Sequence, residues 1–70
     1  MNKVRQILTE KGMTVTQLMR KSGLSMGTCH TAASLADWPE PGTEWATIQS
    51  IAKALGVTPE YLISGNNKES

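Results

Sequence analysis

Seventy residues make one small domain with a thin core and little room for an enzyme cleft. A single cysteine beside a single histidine rules out an internal disulfide and leaves a zinc site without its three or four ligands. Seven Lys and Arg against six Asp and Glu give a formal charge of +1, less basic than nucleic-acid binders usually are.

The chain opens on a predicted helix over residues 2–11. Val4, Ile7 and Leu8 form its apolar stripe, and Gly12 ends it. The start MNKVRQIL has no apolar stretch long enough for a signal peptide, and no run approaches membrane-spanning length, so a cytoplasmic protein is expected. Met13 is a hydrophobic staple ahead of Thr14. Thr14 with Gln17 three residues on is a capping box, in which each side chain satisfies a backbone donor of the other. Val15, Leu18 and Met19 then share one face of a second helix over residues 15–21. Ser22-Gly23 stops it, Leu24 is a staple, and Ser25 caps a third helix running from Met26 to Leu35 or Ala36. Cys29, Ala32 and Ala33 face inward, and Cys29 there is a small buried hydrophobe. Two helices joined by so short a Gly turn cross steeply, which is helix-turn-helix geometry. In it the first turns of the second helix are free to enter a DNA major groove.

Asp37-Trp38-Pro39-Glu40-Pro41-Gly42 cannot be helix or central strand, because its prolines fix extended backbone. Trp38 in this loop either folds back on helices three and four or is buried in a partner. Thr43 is the expected cap of helix four, with Glu44 near its positive end. Trp45, Ile48, Ile51, Ala52 and Leu55 make a sustained stripe, so Trp45 is expected in the core. Thr58-Pro59-Glu60 starts a fifth helix: cap, Pro at the first position, acid next. Tyr61, Leu62 and Ile63 give it one apolar turn, ended by Ser64-Gly65. Residues 66–70 read as a frayed polar tail outside a domain of residues 1–65. No segment alternates with period two, and no repeat appears. The fold class is all-α.

The pattern Leu18 … Gly23-Leu24-Ser25 … Cys29, followed by Ile51-Ala52-Lys53-Ala54-Leu55-Gly56-Val57-Thr58-Pro59-Glu60-Tyr61-Leu62, resembles the Cro/phage-repressor (XRE-type) family over most of the chain. The resemblance implies a compact five-helix lambda-repressor-like domain that binds double-stranded DNA through helices two and three. It implies that Met26, Gly27 and His30 lie nearest the groove floor, with Thr31 and Ser34 further along. That face holds no Arg, Lys, Asn or Gln, the bidentate base readers; Met26 and the Thr31 methyl offer contacts to a thymine methyl and His30 offers one to a guanine N7 or a phosphate, and the alternative is a solvated, weakly reading surface. Thr14, Thr16, Ser25 and Thr28, with free N–H groups at helix starts, would serve phosphates, and Gln17 and Arg20 complete the expected DNA-binding set. The family often carries Gln at the first position of helix two, where this chain has Val15. The connection from helix three to helix four is also longer than the family's, through a longer helix, a longer loop, or both.

The expected function is a sequence-specific transcriptional regulator of Cro or repressor type, or an antitoxin-type autoregulator, binding an operator as a homodimer. The dimer contact is expected at Trp38, Tyr61 or Ile63. The alternative is a protein-interaction module of the same fold, an antitoxin or adaptor. No carboxylate pair, nucleophile–base pair or Gly-rich phosphate loop suggests an enzyme, and no cofactor or metal is expected. Lys3, Arg5, Lys11, Arg20 and Lys21 lie early, with only Glu10 among them. Asp37, Glu40, Glu44, Glu60 and Glu69 lie late. That asymmetry predicts one DNA-facing basic side.

Overall fold

The computed structural model describes residues 2–65, which form α1 (Lys3–Lys11), α2 (Val15–Ser22), α3 (Met26–Ser34), α4 (Trp45–Leu55) and α5 (Pro59–Ser64). No strand forms among the described residues; the one bridge pairs Asn2 with Trp38. The expected tail at residues 66–70 lies outside the described range. α4 packs against α1, α2 and α5, while α3 lies on α1 and α2. The core between them holds Val4, Ile7, Leu8, Leu18, Cys29, Ile51, Leu55 and Leu62. These are the stripes that the helical period marks out, each buried because its helix is apolar on one side only.

α1 starts at Lys3, one residue later than the stripe suggests, because Asn2 is its cap. The Asn2 side-chain oxygen accepts from the Arg5 N–H at 3.1 Å. Its amide nitrogen donates to the carbonyls of Ala32 and Leu35, both at 2.7 Å. α3 has no glycine at its end; Leu35 leaves it extended, at φ −65° and ψ 145°. Asn2 therefore satisfies a terminal carbonyl that a helix otherwise leaves bare. α3 stops at Ser34 and α4 begins at Trp45, so the connection between them runs from Leu35 to Glu44.

One open alternative is decided here and two expectations change. Trp38, at 5% exposure, belongs to the core, so it folds back on its own chain. Trp45, expected inside, is 49% exposed. It is the first residue of α4, and helical side chains lean toward the N-terminus, so its ring projects past the end of the packed stripe. The core tryptophan is Trp38. The α4 cap is Glu44 rather than Thr43. The Thr43 N–H is drawn into a turn, donating to the Glu40 carbonyl at 3.1 Å, and the helix begins one residue later. The Glu44 carbonyl accepts from Thr47 and Ile48, but its side chain makes no capping bond.

Candidate nucleic-acid interface

Bonds within the segment itself cap α2 and close the turn into α3. The Thr14 hydroxyl accepts from the Gln17 N–H at 3.1 Å, and the Gln17 side-chain oxygen accepts from the Thr14 N–H at 2.9 Å. Removing such a cap costs about 1 kcal/mol. Gly23 ends α2 at φ 75°, a conformation in which a Cβ crowds the following carbonyl, and its N–H donates to the Met19 carbonyl at 3.0 Å. The Ser22 hydroxyl accepts from the Leu24 N–H at 3.2 Å and lies 3.5 Å from the Cys29 sulfur, tying the turn to the inner side of α3. Ser25 then caps α3, its hydroxyl accepting from the Thr28 N–H at 3.2 Å and bonding the Thr28 hydroxyl at 2.9 Å. Cys29 and Ala32 are fully buried, which fixes the face that α3 turns outward.

That outward face carries Met26, Gly27, His30, Thr31 and Ser34, all exposed. The structure thus brings together the five residues that the resemblance gives to base reading. Met26 is 42% exposed, and its thioether has the shape to meet a thymine methyl, as does the Thr31 methyl. The His30 Nδ1 and the Ser34 hydroxyl lie 3.5 Å apart along the helix. Thr14, Thr16, Gln17, Arg20 and Ser25 are exposed, and Thr28 is half-buried. Gln17 and Ser25 already serve as cap partners, so what each adds outward is its remaining hydrogen-bonding capacity. Gly27 lies inside a helix at a cost of about 0.5–1 kcal/mol relative to Ala, although a Cβ there would meet nothing within 4 Å.

The charges do not gather as their order along the chain suggests. The Lys11 ammonium donates to the Leu55 carbonyl at 2.9 Å, and that of Lys3 lies 5.3 Å from the centre of the Tyr61 ring. Two of the early cations therefore turn toward the end of α4 and toward α5. Lys21 shares a surface concavity with Lys53, lined also by Ser22 and Ser50. α3 itself has no Lys, Arg, Asp or Glu. Across from its first turns, the long loop brings Glu40 and Glu44 to the rim of a concavity of about 550 Å³ that Ser25, Gly27, Thr28 and Thr31 also line. Sequence reasoning misses these two carboxylates, because the path of the loop, rather than any local spacing, puts them there.

Of the three residues expected at a dimer contact, Trp38 and Tyr61 are used inside the chain's own core, and Ile63 is 47% exposed. No group of three or more metal-ligating side chains occurs among the described residues. No helix among them is long and apolar enough to cross a membrane.

A family model described as the Cro/C1-type HTH DNA-binding domain matches residues 3–67. No curated protein and no solved structure matches the chain.

Proposed function

Because the chain belongs to the Cro/C1-type helix-turn-helix DNA-binding family, we propose that it is a sequence-specific double-stranded DNA-binding transcriptional regulator of Cro or repressor type, acting in the cytoplasm. It binds a palindromic operator as a homodimer, with α3 in the major groove of each half-site. The observation that carries this reading is the outward face of α3, exposed along its whole length on a helix locked to α2 by caps at both sides of the turn. On that face Met26, Gly27, His30, Thr31 and Ser34 meet base edges. Thr14, Thr16, Gln17, Arg20, Ser25 and Thr28 meet the sugar-phosphate backbone. One such domain makes few contacts, so useful affinity requires a pair of them on two half-sites. With Trp38 and Tyr61 in the core, Ile63 on α5 is the expected dimer residue left at the surface.

In vitro selection from random DNA tests the reading: enrichment of a palindrome supports both sequence recognition and the dimer. A second reading, a protein-interaction module such as an antitoxin or adaptor, is favoured by one observation. The exposed face of α3 lacks basic residues and has carboxylates beside it. A salt series separates the two, since DNA binding releases counterions and must weaken steeply as salt rises.

A further inference from the structure

We propose that Asn2 is a positioning residue for DNA reading: from the start of α1 its side-chain amide clamps the far end of α3, and so seats the second half of that helix, with Thr31 and Ser34, against the bases. The inference rests on α3 entering the major groove. α1, α2, α4 and α5 each end on a left-handed glycine, whose N–H closes the last turn on carbonyls of its own helix. α3 alone among the five described helices lacks that glycine. It ends on Leu35 in extended backbone, whose N–H donates to the Thr31 carbonyl at 3.2 Å. The carbonyls of Ala32 and Leu35 accept from the Asn2 amide instead, each at 2.7 Å. The end of the helix is thus closed by a side chain about 30 residues away in sequence.

The thin anchorage of α3 gives those two bonds their weight. Its inner side is Cys29, Ala32 and Ala33, whereas the other helices bury Ile7, Leu18, Ile51, Leu55 and Leu62. Hydrophobic anchoring scales with the apolar area removed from water, so small side chains hold a helix weakly. Asn2 itself is well seated. Its side-chain oxygen accepts from the Arg5 N–H at 3.1 Å, which fixes the direction of the amide nitrogen. Its backbone pairs with that of Trp38, whose buried ring holds the loop leaving α3. One residue therefore ties the start of α1 to the last turn of α3 and to the chain beyond it.

The test uses the whole chain in selections from random DNA, with wild type, Asn2→Ser and Thr58→Ala run in parallel and each variant melted. Asn2→Ser keeps a cap on α1 and removes both amide bonds to α3. Thr58→Ala removes the cap of α5, where the Thr58 hydroxyl accepts from the Tyr61 N–H at 3.2 Å, and so lowers stability at another place. Sucrose in every binding reaction favours the compact state and keeps the variants folded. Met26→Ala marks the operator positions read by the start of α3, and Thr31→Ala and Ser34→Ala mark those read by its end. Asn2→Ser should relax base choice at the positions marked by Thr31 and Ser34 and leave those marked by Met26. It should bind the operator roughly 5- to 150-fold more weakly, the range of one lost base contact, with affinity for random DNA unchanged. Thr58→Ala should keep the wild-type base choice. An Asn2→Ser chain with wild-type base choice and operator affinity overturns the positioning role and leaves Asn2 a cap. So does equal weakening of operator and random DNA by Asn2→Ser and Thr58→Ala, because the folded fraction then explains both. In either case a palindrome enriched by wild type leaves the regulator reading standing. Enrichment of no sequence by wild type overturns that reading and the positioning role with it.

Discussion

Asn2 makes three hydrogen bonds with one side chain, and their division predicts an unusual substitution pattern. Its oxygen caps α1, while its nitrogen holds the carbonyls of Ala32 and Leu35. Asp is as good a helix cap as Asn, but it would turn an acceptor toward two carbonyls. Asn2→Asp should therefore destabilise by about 1–3 kcal/mol, at least as much as Asn2→Ser, which keeps a cap and presents no charge. Urea denaturation of the two variants checks this; an Asp variant as stable as wild type would mean that the amide bonds contribute nothing. The tryptophans invite a matching comparison. Trp38→Ala should cost roughly 3–5 kcal/mol, enough to unfold most of a domain this small. Trp45→Ala should stay within about 0.5 kcal/mol of wild type, as surface changes do. Equal loss in the two melts would overturn the assignment of Trp38 to the core.

At the scale of the elements, α2 and α3 should fail in two distinguishable ways. His30→Ala and Thr31→Ala remove groups over base edges. Each should cost about 1–3 kcal/mol on the operator and little on random DNA. Arg20→Ala, if it loses a phosphate contact, should weaken both DNAs and lower the slope of log affinity against log salt by about 0.9. Binding isotherms for the three variants across a salt series read both effects. An operator preference untouched by His30→Ala and Thr31→Ala would move the protein-binding module ahead. The elements were legible in the sequence wherever a few neighbouring residues determine them. The Thr14–Gln17 capping box, the Gly23 stop, the Ser25 cap and the Thr58-Pro59 start are all local chemistry, and all are present. What was not legible depends on distance along the chain. Asn2 meets carbonyls 30 and 33 residues away. Lys11 reaches Leu55, and the loop decides that Trp38 rather than Trp45 fills the core. Helical period alone assigns Trp45 to the buried face, because it counts angle and not where the neighbouring helices end.

For the whole molecule, the near-balanced charge has a consequence for affinity. Two early lysines are turned to α4 and α5, and carboxylates stand beside α3. The total salt slope should therefore be modest for a DNA-binding domain, with backbone N–H groups at helix starts taking a large share of the phosphate contacts. Assembly is the other property at this scale. Ile63→Asp should weaken pairing on the operator while leaving the melt of the free chain near that of wild type, because the side chain is half-exposed before pairing. Sedimentation with and without DNA reads it; unchanged pairing would move the contact elsewhere, with exposed Trp45 the next candidate.

The unequal burial of the two indoles makes the chain its own optical probe. Emission from Trp38 should be blue-shifted and shielded from iodide, and should redden only when the domain unfolds. Emission from Trp45 should be red-shifted and quenched by iodide in the native state. Glu44, its neighbour in sequence, lines the concavity at the start of α3. Protection of Trp45 from iodide on adding operator DNA, with Trp38 unchanged, would therefore report occupancy of that side of the molecule without any label.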